Sequence, residues 1–279
     1  MPADSASLST ESGSPLRINV LGIGVSAISM STALAKFDAW IAAGVRRYVC
    51  VADVHAIMQG RMNPAVRSIQ NRAGMVTPDG MPLVWLSHWR GHPEVSRVYG
   101  PDLLLAACEH SVVRGYRHFF YGGADGVADE LVRRLLDRFP GLQVSGTLTP
   151  PFRALTRDEE DGEVETLNSA RADFIWVGLG TPKQERWMAA MRVRLTAPIL
   201  IGVGAAFDFH SGRTRQAPRV LQRHGLEWAF RLATEPRRLW RRYTWVIPGF
   251  IGLVALQMLG YPGFELTGEP ESSSSDRQP

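Results

Sequence analysis

Asp79 stands in the phrase Thr77-Pro-Asp-Gly80, directly after the short apolar pair Met75 and Val76. A carboxylate at the carboxyl end of a strand can take the proton from an acceptor hydroxyl. Pro-Asp-Gly is also a turn signal in its own right, and both readings stand. Trp85 and Trp89, four apart on the helix expected next, offer either a sugar-stacking face or a core stripe. In Tyr121-Gly-Gly-Ala-Asp-Gly126, Gly122 and Gly123 would let backbone amides approach a phosphate, with Asp125 set to cap the following helix. Gly178-Leu-Gly-Thr-Pro-Lys-Gln-Glu185 predicts Thr181 as an N-cap, Pro182 at the first helical position and Gln184 closing a capping box. The same phrase turns at Gly180 and leaves Lys183 beside amides suited to a diphosphate.

The strongest cationic feature follows an apolar run from Ile199 to Val203 and a turn at Gly202 and Gly204. Arg213, Arg215, Arg219, Arg223, Arg231, Arg237, Arg238, Arg241 and Arg242 face only Glu227 and Glu235. Arg219 and Arg223, Arg237 and Arg241, and Arg238 and Arg242 are four apart, so each pair shares a helical face and repels. A solvated cationic face is one reading; the other is a missing anion, because the guanidinium fork suits phosphate oxygens. The uncharged stretch Thr244 to Gly260 comes next. It falls short of the roughly 20 apolar residues a spanning helix needs and contains Pro248, Gly249, Gly252 and Gln257. An interfacial or shallowly buried segment is expected, the alternatives being a true span or a helix packed within a homo-oligomer. Basic residues beside an anionic bilayer gain about 1 kcal/mol each, so a phosphate-bearing partner at a membrane surface satisfies both stretches.

The elements that must position these residues alternate along the chain. Short apolar runs at Ile18 to Leu21, Tyr48 to Val51, Met75 to Val76, His118 to Tyr121, Leu142 to Ser145, Phe174 to Gly178 and Ile199 to Val203 predict strands. Ala33 to Ala43, Pro64 to Arg72, Asp102 to Arg114, Gly126 to Phe139 and Pro182 to Leu195 predict helices. Such alternation predicts an α/β, Rossmann-like, mostly parallel sheet with helices on both faces, followed by a basic helical C-terminal appendage. Ligands then bind beyond the carboxyl ends of the strands, where the Gly-rich turns fall. The expected divisions are disordered tails at 1–15 and 263–279, a core at 16–212 and the appendage at 213–262.

With 279 residues, 45% of them hydrophobic, the chain can build a substantial core. Its net charge of +4 is modest, and much of the excess sits in the arginine segment. Cys50 and Cys108 have no metal-ligand or disulfide spacing, which fits a reducing cytoplasm. The opening residues have neither a basic nor an apolar signal region. Leu21-Gly-Ile-Gly-Val-Ser-Ala27 matches a variant of the dinucleotide fingerprint, but no clear acidic residue ends a second strand at the expected distance. A simple strand-to-helix turn is the favoured reading. A nicotinamide-dependent oxidoreductase would rest on that phrase, and a non-catalytic membrane or nucleic-acid adaptor on the arginines alone. Without a ladder of stacking aromatics, nucleic acid is not expected.

In combination, Val76-Thr-Pro-Asp-Gly80, Val177 to Glu185, Gly202-Val-Gly-Ala-Ala-Phe-Asp-Phe209 and Gly225 to Tyr243 resemble the WecG/TagA/CpsF family of bacterial glycosyltransferases over about Ile18 to Tyr243. The resemblance implies inverting transfer of a sugar from a UDP-sugar to a polyprenyl-diphosphate-linked saccharide, by a peripheral enzyme at the cytoplasmic face of the membrane. It implies Asp79 as the catalytic base. Gly122, Gly123, Gly180, Lys183, Gln184, Gly204 and Asp208 are the candidate nucleotide-sugar contacts; Arg215, Arg219, Arg237, Arg238 and Arg241 are the candidates for the acceptor diphosphate or the membrane. Where many members carry a Thr-x-Asn phrase, this chain reads Val51-Ala-Asp-Val-His55, and Asp53 or His55 is expected to replace that polar contact. The wording around Met81 to Trp85 is similar to exopolysaccharide members using UDP-glucose rather than UDP-N-acetylmannosamine. No Asp-x-Asp metal motif occurs, so neither metal nor cofactor is expected.

Overall fold

The computed structural model describes residues 13–266, apart from the side chains of Arg238 and Arg242. Most of the two expected tails lies outside them. The chain opens with a departure from expectation. β1 (Arg17–Val20) turns back at once into β2 (Ile23–Ser26), an antiparallel hairpin separate from the main sheet. Leu21 and Gly22 both adopt positive φ, at 55° and 88°, as a two-residue hairpin turn of the primed type requires. The Asn19 side chain accepts from the Gly22 amide. The phrase that matches a dinucleotide fingerprint is therefore neither a phosphate loop nor a strand-to-helix turn.

The main sheet is built as expected. After α1 (Met30–Ala42), capped by a Ser29–Thr32 box, come β3 (Arg47–Ala52), α2 (Val54–Met62), α3 (Pro64–Arg72) and β4 (Met75–Pro78). Next are α4 (Met81–Trp89), α5 (Gly100–Arg114), β5 (Arg117–Gly122), α6 (Val127–Arg138) and β6 (Gln143–Leu148). α7 (Arg157–Ser169), β7 (Phe174–Gly178), α8 (Lys183–Met191) and β8 (Ile199–Gly202) complete the layer. Six parallel strands lie in the order β4-β3-β8-β7-β5-β6.

Both faces of this sheet are buried because its strands are apolar on both sides. Along β3, Tyr48, Cys50 and Ala52 enter one core, while Val49 and Val51 enter the other. β7 divides the same way, Ile175 and Val177 against Phe174 and Trp176. The first core is closed by the hairpin and by residues of α2, α7 and α8; the second by α1, α5 and α6. α2 and α7 are additional to the expected helices. Each has a side-chain cap, Asp53 accepting from the Ala56 amide and Thr156 forming a box with Glu159.

Beyond β8 comes the short α9 (Ala206–His210), and the appendage that follows is helical, as expected: α10 (Arg219–Arg223), α11 (Glu227–Thr234) and α12 (Pro236–Met258). α12 continues through Pro248, and Phe250 with Val246, Leu253 and Val254 packs into the first core. Gln257 fastens its far end, accepting from the Leu21 amide and donating to the Asn19 carbonyl. Phe264 is buried just beyond, its carbonyl accepting from Asn19 at 2.6 Å. The outer side of α12 stays apolar, with Trp245 82% and Ile251 63% exposed. Among the described residues no helix is long and apolar enough to cross a membrane.

At the end of β5, Gly122 has φ 110°, and a Cβ there would come within 2.9 Å of the Gly178 backbone on the neighbouring strand. Gly122→Ala is expected to cost about 1–3 kcal/mol, from the strained φ and the strand it displaces, read as a lower midpoint in chemical denaturation.

Candidate active site

The turns following β3, β4, β5, β7 and β8 open into one cleft of about 1430 Å³. Because the strands are parallel, their carboxyl ends lie on a single edge, and residues far apart in sequence meet there. Asp53, His55, Asp79, Gly123, Gly180, Lys183, Gln184, Gly204 and Asp208 all line this cleft. Gly122 lies one residue behind, packed against β7.

Asp79 is held from three sides. Its amide donates to the Ala52 carbonyl at 3.0 Å, its Oδ1 accepts from the Gly100 amide at 2.8 Å, and its carbonyl accepts from Arg97 Nε. Removal from water pushes the carboxyl up to about 7. Asp53 and Glu227 push in the same direction, while Arg97 and the Gly100 amide oppose them. A carboxyl tuned in this way exchanges a proton near neutrality, as a general base should.

Arg97, Tyr99 and Glu227 form a cluster that the sequence reading did not foresee. Glu227, at the start of α11, accepts from Arg97 Nη2 at 2.6 Å and from the Tyr99 hydroxyl at 2.7 Å. The Arg97 guanidinium also lies 3.9 Å from the centre of the Tyr99 ring. Burial, with Glu227 beside it, pushes the Tyr99 phenol well up, so it stays a neutral donor. Scarcity was the only signal available for Glu227, one of two acids among nine arginines from 213 to 242.

The Gly178–Glu185 phrase departs in detail from its expected capping box. α8 begins at Lys183 without a side-chain cap; the Thr181 hydroxyl donates to Glu185 Oε1 at 2.9 Å, and the Thr181–Pro182 bond is cis. Gln184 is buried and turns towards β8, its Oε1 accepting from the Gly204 amide at 3.0 Å. A tertiary partner thus takes the side chain that local spacing assigned to the helix end. Asp125 likewise does not cap α6, whose N-cap is Gly126 in the left-handed region without a side-chain bond. Lys183 remains exposed at the cleft.

The appendage supplies one wall of the cleft through Arg213, Glu227, Trp228, Arg231, Glu235 and Tyr243. Arg231 lies 5.8 Å from the Phe209 ring centre, and its Nε finds no hydrogen-bond partner among the described residues. Four of the five arginines singled out in the sequence stand outside the cleft lining. Arg219 pairs with Asp102 at 2.7 Å, and Arg215, Arg237 and Arg241 are exposed outside the cleft lining. The Arg238 side chain lies outside the described ones. Of the two tryptophans, Trp85 lines the cleft and is 49% exposed, whereas Trp89, 63% exposed, does not line it. Among the described residues no group of three or more His, Cys, Asp or Glu side chains could hold a metal ion.

The parallel α/β sheet gathers the desolvated Asp79 carboxyl, the glycine turns and the cationic Lys183, Arg213 and Arg231 into the lining of one cleft. The model of the glycosyl transferase WecG/TagA/CpsF family matches residues 18–262, and the chain belongs to that family. Its relatives include an N-acetylglucosaminyldiphosphoundecaprenol N-acetyl-beta-D-mannosaminyltransferase of Bacillus spizizenii, 30% identical over 70% of this chain and 74% of the relative. A protein of the same name from Staphylococcus aureus is 21% identical over 83% of this chain and 90% of its own length. The oxidoreductase reading loses its structural context, since Gly22 and Gly24 lie in the hairpin and not at the cleft.

Carbon-detected NMR of the Asp79 carboxyl should show titration near pH 7. Glu227→Gln removes a charge that raises this value, so the midpoint should move down, by about one pH unit or less. An unmoved midpoint would mean that Glu227 is electrostatically silent at Asp79.

Proposed function

We propose that this enzyme is an inverting glycosyltransferase that moves a sugar from a UDP-sugar to a polyprenyl-diphosphate-linked saccharide at the cytoplasmic face of the bacterial inner membrane. The observation that carries the reading is the desolvated Asp79 carboxyl in a cleft whose lining also includes Lys183, Arg213 and Arg231. The relatives' name, which specifies a lipid diphosphate acceptor and N-acetylmannosaminyl transfer, supports it. It favours UDP-N-acetylmannosamine as donor over UDP-glucose, and a donor screen for UDP release separates the two.

In this mechanism the Asp79 carboxylate takes the proton from an acceptor hydroxyl as that oxygen attacks C1 of the donor sugar. The new C1–O bond forms opposite the breaking bond to the diphosphate, so the anomeric centre inverts. UDP leaves with the bonding electron pair. Lys183, Arg213 and Arg231 offset the charge that develops on it, and no metal or cofactor is assigned a role. Arg215, Arg219, Arg237, Arg238 and Arg241 belong to membrane or acceptor phosphates in this reading, beside the apolar outer side of α12.

Asp79→Asn should reduce turnover by about 10²–10⁴-fold with donor binding retained; full turnover by this variant would refute the base assignment. Only the ionised carboxyl accepts a proton, and its pKa lies above the ordinary carboxylate value. The rate should therefore be highest above pH 7 and fall about tenfold per pH unit well below it. Turnover that survives EDTA is expected, and its loss, restored by a divalent ion, would assign the leaving group to a metal. Arg237→Glu combined with Arg241→Glu should weaken flotation with anionic liposomes. Undiminished flotation removes these two side chains from the membrane contact.

A further inference from the structure

From Asp79 the cleft runs on past Met81 and Trp85 of α4 to Tyr243, Val246, Ile247 and Ile251 of α12. The four α12 residues fall at i, i+3, i+4 and i+8, one face of the helix. In the same lining the backbone comes close to the Trp85 indole: a Cβ on Gly225, whose φ is 68°, would meet Trp85 Cη2 at 2.8 Å. Ile251 is 63% exposed, so the apolar lining reaches the molecular surface. The whole space, about 1430 Å³, exceeds the roughly 300–1,000 Å³ of an ordinary small-molecule site. One cavity thus carries both cationic side chains, Lys183, Arg213 and Arg231, and an apolar stretch from α4 and α12.

We propose that the apolar stretch from α4 and α12 is a binding site for the first isoprene units of a prenyl diphosphate, which the enzyme takes out of the bilayer. A ligand of that kind is the chemical match for both features at once: a diphosphate among cations and a branched hydrocarbon chain along Trp85 and Ile247. The site deepens the proposed transfer to a lipid-linked acceptor and rests on it. It adds that the protein reads the lipid as well as the sugar, so that tail length sets acceptor affinity even without a membrane.

The test is calorimetric titration of the full chain with methyl, dimethylallyl, geranyl and farnesyl diphosphate, below their micelle concentrations and without vesicles. Affinity should rise at least about tenfold for each isoprene unit buried and then level off after two or three. Ile247→Ser combined with Ile251→Ser should abolish that rise while inorganic diphosphate binds as it does to wild type. Should the double variant lose inorganic diphosphate as well, the single change Ile251→Ser at the exposed rim decides, with a partial loss of the rise expected. Equal affinity for every tail, or an undiminished rise in the variants, overturns the site. Diphosphate binding without tail preference overturns the site alone and leaves the transfer reading standing. Failure to bind any diphosphate overturns both.

Discussion

The contact between Arg97 and Glu227 joins residues 130 apart in sequence, and the site depends on it. Arg97 belongs to the loop that carries the chain from α4 to α5 and also holds the Asp79 carbonyl. Glu227 opens α11 of the appendage. Through this pair and the Tyr99 hydroxyl, the appendage is fastened to the loop that positions the carboxylate. Two partly buried charges so joined are costly to separate, because either one left alone would be desolvated without compensation. The fastening also explains how a cationic segment can border an ionisable acid without locking it as an ion. Glu227 occupies Arg97 and adds negative potential at Asp79.

Asp79 is raised towards neutrality chiefly by loss of water, with two acids reinforcing the effect and one arginine restraining it. Its proton affinity is a balance of influences that separate elements contribute. Asp53 comes from the end of β3, Glu227 from α11 and the Gly100 amide from the start of α5. The glycine turns across the cleft follow the same logic of convergence. Gln184 binds the Gly204 amide, tying the turn after β8 to the start of α8, so that the cleft-facing edge is braced between neighbouring strands.

α12 reconciles two demands placed on one stretch of sequence. Its inner residues, Val246, Phe250, Leu253 and Val254, complete the first core, while Trp245 and Ile251 stay exposed. A helix with apolar residues on both sides can serve the core with one and a lipid surface with the other. Gln257, polar in an apolar run, binds the Leu21 and Asn19 backbone groups at the hairpin and fixes which side faces inward.

Much of this was legible in the sequence. The alternation of apolar runs with helix-length segments determined a two-faced parallel sheet, since strands buried on both faces cannot tolerate polar residues on either. Given parallel strands, the turns carrying Asp79, Gly123, Lys183 and Gly204 had to share one edge. The capping pair Thr156 and Glu159 and the cap at Asp53 were present as signals and mark α7 and α2, which periodicity alone did not reveal. Local spacing misled where a distant partner competed. Gln184 left its helix end for Gly204, and the Gly22 phrase became a hairpin because Leu21 and Gly22 take left-handed conformations. Only the tertiary structure decided which arginines of the appendage face the cleft: Arg213 and Arg231 do, whereas Arg219 is drawn aside by Asp102. Composition determines that a segment is cationic, but the direction of each side chain and the water excluded around it depend on packing between elements, which no local pattern encodes.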